Sequence, residues 1–165
     1  VNQDYVLELF FAMKGDLNKI NAAIDEKLRK NQTRKITTFE TFIKSRISAN
    51  PKVLRMVNME ITPDEAAYLS MYPDLEALEV LDLRQNHLGD EGLEAIVRSP
   101  VLKNLCELDL RSNGITRLGL TMMAGVQNLV HLKKVDFRSN QLGKRWETKL
   151  KESEFYPELQ EVKTV

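Results

Sequence analysis

The sequence predicts a short right-handed α/β solenoid with a helical segment ahead of it. Three observations carry that prediction. Apolar residues and an asparagine recur every 27 residues through the second half of the chain. Within each copy, a strand-like alternation of period 2 gives way to a helix-like spacing of three to four residues. The first fifty residues carry no trace of the repeat and read as amphipathic helices instead.

The repeat comes first, because a fixed period decides the architecture. Leu78, Leu105 and Leu132 are 27 apart, as are Leu81, Leu108 and Val135, and Leu83, Leu110 and Phe137. Asn86, Asn113 and Asn140 keep the same step, as do Leu88, Ile115 and Leu142, and no insertion is needed. One step back, Leu54, Met56, Ile61, Ala66 and Leu69 form a degenerate copy, with Met59 where the asparagine would stand. One step forward, Leu159 and Val162 begin a fifth, truncated strand.

The segments LEVLDLRQNHL, LCELDLRSNGI and LKKVDFRSNQL resemble the leucine-rich repeat pattern LxxLxLxxNxL. The helical wording GDEGLEAI is similar to the ribonuclease-inhibitor-like subtype. The resemblance covers residues 51–165 and implies parallel strands on the concave side, helices on the convex side and a protein-binding role.

Physics accounts for the residue types. The alternating leucines turn one strand face inward. Thr62-Pro63-Asp64-Glu65 predicts a capping box with proline in the first helical turn, and Asp90 is expected to cap the next helix. Leu93 and Ile96 return that helix to the core, while Pro73 and Pro100 punctuate the return loops. A single repeat cannot cover its own apolar face, so stacking supplies the core.

In the first fifty residues, Asn2 to Met13 reads as a helix stopped by Gly15. Asp16 caps a second, with Leu17, Ile20, Ile24 and Leu28 on one face. Thr37 to Glu40 contains a capping box opening a third, with Phe39, Phe42, Ile43 and Ile47 as its stripe. Asn50-Pro51 closes the segment. The domain division is therefore 1–50, a helical cap over the end of the core, and 51–165, the repeats.

Composition narrows the function. The 24 Lys and Arg balance the 24 Asp and Glu across 165 residues, which excludes the overall basic balance of a nucleic-acid binder. One cysteine, Cys106, excludes an internal disulfide framework and suits a reduced, cytoplasmic setting. His87 and His131 are out of phase and lack ligand-spaced partners, so no metal, no cofactor and no enzyme chemistry is expected. The basic cluster Lys27, Arg29, Lys30, Arg34 and Lys35 lies at a helix end, where cations complement the dipole. The longest apolar stretch, Val6 to Met13, is too short to span a bilayer, and no signal peptide is visible. The chain opens on Val1 and stops within a repeat, which fits a processed chain or a fragment of a larger receptor or effector.

Between the inward leucines stand two exposed columns: Asp82, Asp109 and Asp136, then Arg84, Arg111 and Arg138. Parallel strands lie about 4.8 Å apart, so each column is a tight row of like charges. The two rows either neutralise each other or form a mixed-charge groove for a protein partner. The binding reading makes these six residues the site, with Arg55 and Lys163 ending the aspartate column. The family resemblance also permits a second role, as regulator of a small GTPase, supplying polar side chains to a partner's active site.

Overall fold

The computed structural model describes residues 1–165. Three helices open the chain: α1 (Gln3–Ala12), α2 (Leu17–Leu28) and α3 (Ile36–Ile47). Asn2 caps α1 by accepting the Tyr5 N–H, and Gly15 leaves it in the left-handed region at φ +75°. Asp16 caps α2 through the N–H groups of Asn18 and Lys19.

The capping box expected at Thr37–Glu40 does not form. Helix α3 begins at Ile36, and Asp25 of α2 reaches across to accept the Ile36 N–H at 2.6 Å and the Thr37 hydroxyl at 3.3 Å. Glu40 points inward, where Asn21 and Tyr72 donate to it at 3.0 and 2.8 Å. A carboxylate gains more from buried donors than from one exposed backbone N–H, so tertiary structure overrides the local motif.

Five strands follow: β1 (Val53–Arg55), β2 (Val80–Asp82), β3 (Glu107–Asp109), β4 (Lys134–Asp136) and β5 (Glu161–Lys163). They form one parallel sheet in chain order, and the register joins Leu54, Leu81, Leu108, Val135 and Val162 in a row. Parallel neighbours need long crossovers. Helices α4 (Pro63–Ser70), α5 (Gly89–Val97), α6 (Arg117–Ala124) and α7 (Arg145–Lys151) supply them. The step of 27 is therefore a physical register. A short 3-10 turn at Pro73–Leu75 follows α4.

Thr62 and Glu65 make the reciprocal bonds of a capping box at α4. Asp90, in contrast, does not cap α5, whose first-turn flank Leu88 makes no side-chain bond. Its carboxylate accepts the Thr116 N–H at 2.8 Å and the Thr116 hydroxyl at 2.5 Å, tying α5 to the start of α6. Gly119 makes room, since a Cβ there would lie 2.3 Å from Asp90 Oδ1.

The core runs without interruption from Val6 in α1 to Val162 in β5. Val6, Ile20, Ile24, Ile36, Phe39 and Ile43 are wholly buried in it beside Leu54 and Met56. Burying such side chains stabilises the fold by about 1.5–3 kcal/mol each. Polar contacts set the register of this junction. Arg34 donates from Nε and Nη2 to Glu65 at 2.7 and 2.8 Å, and from Nη1 to the Met59 carbonyl at 3.0 Å. Tyr68 donates to Asn21 at 2.8 Å, completing a buried chain from Tyr72 through Glu40 and Asn21 to Tyr68.

Candidate functional site

Each strand is only three residues long, and its middle residue is buried in every copy. The flanking residues therefore face outward on both sides. One outward row is Val53, Val80, Glu107, Lys134 and Glu161; the next is Arg55, Asp82, Asp109, Asp136 and Lys163. All of these except Val53 line a shallow depression of about 180 Å³ across the sheet. Beyond them, after the next buried row, come Arg84, Arg111 and Arg138.

The structure brings all six sequence-predicted site residues onto this face and shows how they are held. In every copy the aspartate accepts the backbone N–H of the arginine two residues on, at 3.3, 3.2 and 3.1 Å. The guanidinium then folds back on the same carboxylate. Arg111 donates from Nε and Nη2 to Asp109 at 3.0 and 2.7 Å, and Arg138 repeats this on Asp136 at 3.0 and 2.8 Å. Arg84 is looser, its Nε lying 3.3 Å from Asp82 without a hydrogen bond. Asp82 is the buried member of its row, with Arg55 a further 3.9 Å neighbour.

These pairs set the electrostatics. Burial works to raise the Asp136 carboxyl, but hydrogen bonds from Arg138 and the charge of Arg111 outweigh it and hold the group below the usual range. The hydrogen bond to Asp109 pushes the Arg111 guanidinium up, helped by the charges of all three aspartates, and Asp136 does the same for Arg138. The rows thus neutralise each other in pairs, and Arg111 and Arg138 are held in place while Arg84 is not.

The backbone turns sharply just after each arginine and, in the first copy, just after Val57. Asn58, Gln85, Ser112 and Ser139 all sit in the left-handed region, at φ 54° to 62°. The asparagine ladder secures that turn, as expected. Asn140 Oδ1 accepts the N–H groups of Asn113 and Ile115 at 2.8 and 3.0 Å, and its Nδ2 donates to Leu110 and Phe137 carbonyls at 2.9 and 2.8 Å. Asn86 repeats the pattern on Met59, Ile61, Met56 and Leu83. Buried backbone groups that a turn would orphan are thereby satisfied.

Sequence reasoning missed Glu107, Lys134 and Glu161, which share the face. Their signal was available: they stand two residues before the aspartate column, on the same side of a strand. The other candidates lie apart. Arg34 leaves the basic cluster to face Glu65, and Arg29 pairs with Glu26 at 3.4 Å. His131 pairs with Glu158 at 2.9 Å on the exposed loop side, near Cys106, whose thiol lies 3.4 Å from the Asn104 carbonyl. No helix is long and apolar enough to cross a membrane.

The model of the family described as Leucine Rich repeat matches residues 77–97 and 101–124. Among solved structures, leiomodin-1 actin-binding site 2 is similar, with a TM-score of 0.60 at 16% identity over 77% of this chain and 79% of that one. At such identity the likeness is one of fold. No curated protein matches significantly. The register of 27, the matched repeats and the shared fold agree on the architecture: residues 77–97 and 101–124 are similar to leucine-rich repeats, and the chain has the fold of a leucine-rich repeat solenoid.

Proposed function

We propose that this chain is a protein-binding module of the ribonuclease-inhibitor-like subtype, working in a reduced, cytoplasmic compartment. Its binding surface is the strand face, with Asp82, Arg84, Asp109, Arg111, Asp136 and Arg138 at the centre. One observation carries the reading: Arg111 and Arg138 are held by their own aspartates and remain partly exposed. A side chain fixed before the encounter loses less freedom on binding, and arginine is over-represented among the residues that dominate interfaces. The depression beside the row holds about 180 Å³, below the roughly 300–1,000 Å³ of small-molecule pockets, so a macromolecular surface fits it better. That leiomodin-1's matching segment is titled an actin-binding site supports the same class of function.

Residues 1–50 serve in this reading as the cap of the repeat core, since their apolar residues are continuous with Leu54 and Met56. Capture of partners on the immobilised chain tests the surface. Arg111→Glu is expected to change unfolding stability by less than about 1 kcal/mol and to weaken a partner by about 2 kcal/mol or more. Capture that ignores this reversal would place the surface elsewhere.

A further inference from the structure

We infer that the arginine row receives an acidic α-helix laid across the strands, one carboxylate per helical turn. This deepens the strand-face reading and rests on it. The first argument is donor geometry. A guanidinium carries five N–H groups. In Arg111 and Arg138 the aspartate takes the Nε side of the fork, and no bond within the chain takes Nη1. The end of each fork, Nη1 with the second hydrogen of Nη2, is left for another planar acceptor. A carboxylate fits it with two parallel bonds.

Spacing then selects the partner's backbone. Arginines on successive strands stand about 4.8 Å apart, so the row of three spans roughly 9.6 Å. Carboxylates on successive turns of an α-helix are about 5.4 Å apart, or roughly 10.8 Å over the same three. Alternate residues of an extended chain are about 6.8 Å apart, or roughly 13.6 Å. A helix misses by about 1 Å over the row, whereas an extended segment misses by about 4 Å. Because aspartates pin two of the guanidiniums, side-chain flexing absorbs the first error and not the second.

Two neighbours fix the position of the helix. On the β1 side the row ends one step from Arg84 at Val57, which is half-buried and uncharged. An apolar residue one turn ahead of the acids meets it. On the strand side lies the aspartate row, so a helix shifted by one row would set its acids against Asp82, Asp109 and Asp136.

The test uses the full chain and a stapled alanine–glutamine helix bearing leucine at position i and glutamate at i+4, i+7 and i+11. Comparison probes are the same composition with the glutamates scattered around the helix, an extended threonine–glutamate alternating peptide, and oligothymidylate. Side-chain Nε–H resonances of the arginines and a binding isotherm report the outcome. The proposal expects the patterned helix to shift the Arg84, Arg111 and Arg138 signals and to bind at least tenfold tighter than every other probe. Arg111→Glu and the milder Arg138→Gln, both checked for native spectra, should weaken it at least tenfold and threefold. Arg98→Glu, on the helical side, should leave it unchanged. Equal or tighter binding of the extended peptide or the oligonucleotide through the same arginines overturns the helix and spares the strand-face reading. Binding that moves none of these signals overturns both. No binding of the patterned helix at millimolar concentration overturns the inference, and the capture experiment with Arg111→Glu then judges the surface separately.

Discussion

Between one repeat and the next, Asn86, Asn113 and Asn140 renew a single set of backbone bonds every 27 residues. Between the first fifty residues and the first repeat, Arg34, Asn21 and Glu40 make bonds that occur once. The ladder uses neutral amides against backbone groups. The junction uses a carboxylate, two phenols and an ion pair in the interior. Stacking identical units poses one problem many times, and one residue type answers it. Joining a helical segment to a solenoid poses a problem of its own, and the solution depends on charge. The two regions should therefore respond differently to pH and to single substitutions.

The largest expected difference is alkaline. Burial pushes the hydroxyls of Tyr68, Tyr72 and Tyr156 far up, and the charge of Glu40 adds to the first two. An unfolded tyrosine ionises near pH 10. The native state thus holds protons that the unfolded state releases, so this stability is complete below pH 10 and is lost as the pH rises. With three such groups the loss is up to about 4 kcal/mol per pH unit. Urea unfolding between pH 9 and 11.5 should show it. Tyr68→Phe with Tyr72→Phe should remove about two thirds of the slope and leave the share of Tyr156 in the repeats. An unchanged slope would deny that the junction tyrosines are buried.

Next comes the ion pair. Glu65 is 5% exposed and Arg34 24%. Arg34→Ala leaves the carboxylate with only Thr62, and the Met59 carbonyl without its donor. Breaking a buried pair costs about 3–5 kcal/mol, and the partial exposure of Arg34 puts the expected loss near 3 kcal/mol. Equilibrium unfolding measures it. A loss below about 1 kcal/mol would mean the contact is only a surface pair.

The ladder is expected to be graded. Asn86 and Asn140 each accept two backbone N–H groups, whereas Asn113 accepts only that of Leu88, at 3.3 Å. Within the roughly 1–3 kcal/mol cost of orphaning buried groups, Asn140→Ala should lie near the top and Asn113→Ala near the bottom. The reverse order in chemical denaturation would show that position in the array outweighs the number of bonds.

The same contrast explains what the sequence disclosed. Leu78, Leu81, Asn86 and their copies announced strand, turn and register, because repetition exposes what every unit needs. Asp16 and Thr62 were readable as caps because capping is local in sequence. Asp90 was not, for its partner Thr116 lies one repeat away and the glycine that admits it, Gly119, looks like any helix glycine. Glu40 was misread as half of a capping box because Asn21 and Tyr72, which claim it, are distant in the chain. At the candidate site, the columns of Asp82 and Arg84 and their copies were legible. The folding of each arginine onto its own aspartate was not, since i, i+2 residues on a strand share a face without having to touch.

The smallest effect concerns the strand face and works at the acid end. Asp136 is held below the usual carboxylate range against its own burial, by Arg138 first and Arg111 after it. An unfolded aspartate takes up its proton near pH 4. The native group resists longer, so its contribution is present above that pH and disappears as the pH falls through the lower native value. Asp136 keeps 18% of its side-chain surface and Arg138 39%, so water screens the pair and its contribution is small. Arg138→Gln should raise the Asp136 pKa, read from the carboxyl carbon resonance, and flatten the stability curve below about pH 4 by the same small amount. The curve above pH 10 should not move, because Tyr68, Tyr72 and Tyr156 belong to the interior and feel none of these charges. Should Arg138→Gln shift the alkaline limb as well, the two polar systems are coupled through the sheet and the contrast drawn between them is wrong.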